Sequence, residues 1–94
     1  MHEPRISDVR FAAARPDMRE RGMLGWICCS VDQNLQLDGL ALRRTTEGRY
    51  RLSFPHHVDS SGTKHDLIKP LSSRVRDAIE AQVIDALRKR GFVA

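Results

Sequence analysis

The stretch Ser53-Phe54-Pro55-His56-His57, followed by Asp66-Leu67-Ile68-Lys69-Pro70-Leu71-Ser72, sets the layout of the chain. Leading into it, Arg49 to Phe54 alternates cleanly. Tyr50, Leu52 and Phe54 fall on one side and Arg49, Arg51 and Ser53 on the other, the period of a half-buried strand. Pro55 ends that strand because proline has no N–H to give to a ladder. His56 to Lys64 reads as a loop with the breaker Ser60-Ser61-Gly62 inside it, and His65 to Ile68 as a short strand stopped by Pro70. Ser72 suits an N-cap, since its hydroxyl can accept from the first free amides of a helix.

Beyond Ser73 the period changes. Val75, Ala78, Ile79, Gln82, Val83, Ala86 and Leu87 recur at helical spacing and form one mostly apolar stripe, with charged residues on the other faces. Arg88, Lys89 and Arg90 complement the negative end of the helix, and Gly91 fits the position after the cap.

Upstream, Ile6 to Phe11 reads as a first strand whose alternation places Ser7, Val9 and Phe11 together, and Arg15 to Gly22 as a turn. Leu24 to Val31 is the most apolar run and predicts a central strand buried on both faces. Asp32-Gln33-Asn34 is a turn. Leu35 to Arg43 alternates, with Leu40 and Leu42 together, and Thr45-Thr46-Glu47-Gly48 is a hairpin turn in which Gly48 can take positive φ. Trp26, Tyr50 and Phe54 are expected in the interior. The prediction is an α+β domain spanning residues 1–94: a small antiparallel sheet of four to five strands with one main C-terminal helix packed on it.

With 94 residues the chain forms one small domain with a modest core, for which dimerisation is a common remedy. No apolar run approaches the length of a membrane span, and the opening residues Met1-His2-Glu3-Pro4-Arg5 contain no apolar signal segment. The expected setting is the cytoplasm. Cys28 and Cys29 are neighbours in a strand, so they point to opposite faces and read as small packed thiols.

The net charge is +4, and all cations but Lys64, Lys69 and Lys89 are arginine, whose planar fork suits phosphate. Two basic groups stand out. Arg43, Arg44, Arg49 and Arg51 flank the hairpin turn. His56, His57, Lys64, Lys69, Arg74 and Arg76 lie in the loop and at the helix start. Cations held at intervals bind phosphates by releasing counterions. His56, His57 and His65 have too few convergent acids or thiols nearby for a metal site. Ser60 and Ser61 lie near His65, without a nucleophile elbow or oxyanion site. Neither a P-loop nor a dinucleotide-binding glycine motif is present. The expectation is a binding protein with no cofactor, no metal, no small-molecule substrate and no catalytic residue. The rival expectation is a protein-interaction module that uses an exposed sheet edge.

Taken in order, these motifs resemble the stage V sporulation protein G family of septation and nucleic-acid-binding regulators. Ile6-Ser7-Asp8-Val9-Arg10 looks like the family's opening strand, and Leu24 onward like its small-residue-rich second strand. Gly48 to Pro55 is similar to its glycine, apolar strand and terminal proline. Asp66-Leu67-Ile68-Lys69-Pro70-Leu71-Ser72 resembles its aspartate, apolar pair, proline and helix cap. His56 and His57 stand where members usually carry serine and basic residues, and Lys69 where they often carry histidine. The resemblance implies a homodimer that pairs sheets and binds DNA or RNA through the basic loop and helix start, in the regulation of septation or developmental gene expression.

Overall fold

A computed structural model describes residues 3–93. Four strands, β1 (Ile6–Ala13), β2 (Met23–Val31), β3 (Leu35–Arg44) and β4 (Tyr50–Ser53), form an antiparallel sheet in the order β1-β2-β3-β4. A five-residue helix α1 (Pro16–Glu20) joins β1 to β2, and β5 (His56–Val58) and β6 (Lys64–Asp66) form a separate hairpin. The long helix α2 (Ser73–Lys89) packs across one face of the four-stranded sheet. The architecture is α+β, as the alternation followed by a helical stripe predicts.

The core is one cluster. Val9, Ile27, Cys29, Leu37, Leu40, Leu42 and Leu52 from the sheet meet Ile79, Val83 and Leu87 from α2 and Val93 beyond it. These α2 residues recur every fourth position, the spacing that keeps side chains on one helix face. Ser72 is the N-cap, accepting from the Val75 amide at 3.2 Å. At the other end Phe92 N–H donates to the Leu87 carbonyl and Gly91 N–H to that of Arg88, a Schellman closure. That turn sets the Phe92 ring 5.2 Å from Phe11.

Two β-bulges explain where simple alternation fails. In β1 the register shifts between Ser7 and Arg10, with Asp8 at φ 49°, so Ile6 joins Val9 and Phe11 around the core. The expected grouping of Ser7 with Val9 and Phe11 is thereby corrected. In β3 the residues Asp38 and Gly39 stand opposite Cys28 alone, which brings Leu37 onto the face of Leu40 and Leu42. Gly39 holds φ 77°, a conformation that glycine adopts at no steric cost. Gly25 serves a different need: a Cβ there would lie 2.4 Å from the Ala12 carbonyl and 2.6 Å from the Phe11 ring.

Other expectations are corrected as well. The turn at 15–22 contains α1, because Pro16 suits the first helical position and Asp17 the first turn. The loop after Pro55 is ordered as β5, and the strand expected at His65–Ile68 is Lys64–Asp66, paired with β5 and not with the main sheet. The central strand β2 is buried on one face only. Ile27 and Cys29 face α2, while Trp26 on the opposite face is 42% exposed. Tyr50 and Phe54 are half-buried. Burial, with the adjacent Cys28, pushes the Cys29 thiol up to about 11, so it stays a neutral packing group, and both cysteines are free.

Polar side chains of α2 and its C-cap residue bond backbone groups on both edges of the sheet. On β4 the Leu52 amide donates to Glu80 Oε2 at 3.1 Å, and the Leu52 carbonyl accepts from Arg76 Nη2 at 2.9 Å. On the β1 side the Ile6 amide donates to Gln82 Oε1 at 2.9 Å, while Gln82 Nε2 donates to the Pro4 carbonyl at 2.7 Å. Arg90 donates to the Val9 carbonyl. An unpaired strand edge invites another strand, and these bonds occupy those positions.

Ile79 is 6% exposed at the centre of this packing. Ile79→Ala is expected to lower the unfolding free energy by about 2–4 kcal/mol through lost burial and a residual cavity. Urea denaturation checks this, and an unchanged midpoint would contradict the packing of α2.

Candidate functional site

The basic residues at the start of α2 are the first candidates, and the fold treats them unequally. Arg74 is exposed and lies 3.7 Å from Glu3. Arg76 is half-buried: beyond its bond to the Leu52 carbonyl, its guanidinium sits 5.8 Å over the Phe54 ring, and Nε is buried without a partner. A phosphate at the helix start would compete with these internal contacts for the Arg76 side chain. Arg51 is also drawn inward, with Nε 3.4 Å from Glu80 Oε2. Lys69 is exposed in the segment before the helix.

A second group lies at one end of the sheet. The Arg44 amide donates to the Gly22 carbonyl at 2.7 Å, which holds the α1–β2 turn against the β3–β4 hairpin. Arg19 and Arg21 therefore join Arg43, Arg44 and Arg49 at the same end. All five side chains belong to exposed residues, and none makes an ion pair among the described residues. Sequence reading placed Arg19 and Arg21 in a charged turn. Their joining the hairpin arginines depends on a contact between segments more than 20 residues apart in sequence, which no local pattern announces.

The β5–β6 hairpin carries His56, His57 and Lys64. All three are exposed, and His57 stands opposite His65 in the register. Lys64 Nζ lies 3.9 Å from Asp66. The connection is ordered by Asp59: Oδ1 accepts from the Ser61 amide at 2.9 Å, the Ser61 hydroxyl at 2.6 Å and the Thr63 amide at 3.0 Å, and Oδ2 lies 2.7 Å from His65 Nε2. Asp59 stands between serine and histidine, whereas nucleophilic catalysis needs the histidine against the hydroxyl. The arrangement is a loop clasp. Among the described residues no three His, Cys, Asp or Glu side chains come together as a metal site, and no helix is long and apolar enough to cross a membrane.

The open face of the sheet connects these parts. Trp26 stands opposite Ala12 on β1 and Ala41 on β3, and Ala41 stands opposite Ser53 on β4. A shallow groove along this face runs past Met18, Met23, Trp26, Arg43, Phe54 and His56. It links the arginine end of the sheet to the base of the β5–β6 hairpin. The expectation that the aromatic residues lie in the interior concealed this surface.

The hydrogen bonds from Ser61 and then His65 and Thr63 hold the Asp59 carboxyl down at about 2, against 3.8 for a free aspartate. Because the folded value is depressed, the stabilisation from this clasp is complete above about pH 4 and is lost as pH falls through 2. A carbon-detected titration of the Asp59 carboxyl should show its midpoint near 2, and a midpoint near 3.8 would contradict the clasp.

No protein-family model matches this chain, and no curated protein matches it in sequence. The likeness to the stage V sporulation protein G family rests on the sequence motifs alone.

Proposed function

We propose that the protein is a small nucleic-acid-binding regulator which grips DNA or RNA by its phosphates. The observation that carries this reading is the arginine end of the sheet, where Arg19, Arg21, Arg43, Arg44 and Arg49 are exposed and make no ion pair among the described residues. Guanidinium groups fixed on a sheet end are spent on nothing inside the fold, and they are donors of the kind that bind phosphate with two hydrogen bonds. The resemblance in sequence supports a role in septation or developmental gene expression. In this reading the site begins at the hairpin end, with His56, His57, Lys64, Lys69 and Arg74 as further contacts. Arg51 and Arg76 chiefly hold β4 to α2.

A homodimer belongs to the same proposal, since two copies double the number of arginines presented to one nucleic acid. The geometry expected from the sequence, with sheets joined edge to edge, meets the side chains that already bond Leu52 and Ile6. The same bonds count against the rival reading of a protein-interaction module that recruits a partner strand at the sheet edge.

Retention on random-sequence DNA and RNA should fall linearly on logarithmic axes as salt rises. Replacing Arg43 and Arg49 together by alanine is expected to weaken all sequences alike and to flatten that slope by about 1–2. Binding that ignores salt, or no binding at low salt, would overturn the reading.

A further inference from the structure

We infer that the open face of the sheet, centred on Trp26, is a stacking platform for single-stranded nucleic acid. This rests on the nucleic-acid reading above and adds the strandedness of the ligand and the place where its bases sit. Trp26 is the chain's one tryptophan, and it is 42% exposed on a central strand of a well-packed sheet. A large aromatic residue there normally gains more by turning inward. Here the pleat fixes it outward, because its neighbours Ile27 and Gly25 occupy the helix face.

The surroundings leave the ring accessible. Its cross-strand partners are Ala12 and Ala41, so neither neighbour in the register is large enough to cover it. Arg43 borders the same groove and makes no ion pair among the described residues, and His56 lies across from it. An aromatic ring between small side chains, with a free cation at its border, suits a base stacked on the ring and its phosphate on the guanidinium. Duplexes keep their bases stacked on one another, so only unpaired bases can use this ring.

Charge separates this occupant from a second copy of the chain. A two-fold contact through this face would place Arg43 of each copy, which makes no ion pair among the described residues, on one shared surface, whereas Arg10 and Arg51 keep Asp8 and Glu80 as partners. A polyanion supplies the countercharge that Arg43 lacks among the described residues.

The fluorescence of Trp26 reports this face alone. It should be quenched by a short oligodeoxythymidylate and left nearly unchanged by a DNA duplex. Trp26→Ala should reduce affinity for the single strand by roughly 5- to 150-fold, the range for removing one aromatic–base stack. It should leave duplex retention in place, and Trp26→Phe should recover part of the loss of single-strand affinity. If the wild type retains duplex in a salt-dependent way while the oligonucleotide neither quenches Trp26 nor loses affinity in Trp26→Ala, the platform is wrong and the phosphate reading stands. If no nucleic acid is retained at low salt, both fall. If Trp26→Ala dissociates an oligomer in sedimentation without changing single-strand affinity, the face is a self-interface and the inference is overturned.

Discussion

Helix α2 is the part on which the rest of this structure depends, and it acts in two ways at once. Ile79, Val83 and Leu87 close the core against the sheet. On the flanks of the same helix, Arg76 and Glu80 bond the backbone of β4, and Gln82 and Arg90 bond the β1 side. A four-stranded sheet with bare edges would present backbone donors and acceptors to any passing strand. Here those groups at Leu52, Ile6 and Val9 are satisfied within one chain. Breaking one of these bonds leaves a polar group without its partner, which costs more than the bond itself contributes.

Spending α2 in this way decides which surfaces remain for binding. One sheet face and positions on both edges are occupied, and Arg76 at the helix start and Arg51 on β4 are held by contacts within the fold. Among the surfaces left open are the face carrying Trp26, the arginine end of the sheet and the β5–β6 hairpin. They adjoin one another along one groove. Arginine separates into two roles by this logic. Arg51 and Arg76 act as internal ties, whereas Arg43, Arg44 and Arg49 are exposed and make no ion pair among the described residues.

Much of the fold was legible because it follows period and punctuation. The alternation of Tyr50, Leu52 and Phe54, the stop at Pro55, the Ser72 cap and the fourfold recurrence from Val75 to Leu87 are local signals, and the structure follows each of them. The bulges were half legible. In Leu35-Gln36-Leu37-Asp38-Gly39-Leu40-Ala41-Leu42 the leucines change phase at Asp38-Gly39, and Gly39 takes up that change with its positive φ. The outward placement of Trp26 was hidden because an unbroken apolar run suggests burial on both sides, and only the full sheet shows which side α2 covers. The site was less legible than the fold. Charge alone does not reveal that Arg76 is bonded to the Leu52 carbonyl while Arg43 is free.

The central claim is that ligand binding uses the face and end of the sheet which α2 leaves open. Backbone amide chemical-shift mapping on adding a short oligodeoxythymidylate tests it most directly. Perturbations are expected to concentrate at Trp26, Ala41, Arg43, Arg49 and His56, with the amides of 79–87 in α2 unmoved. Perturbations centred on Arg74 and Arg76, with Trp26 and Arg43 silent, would contradict it.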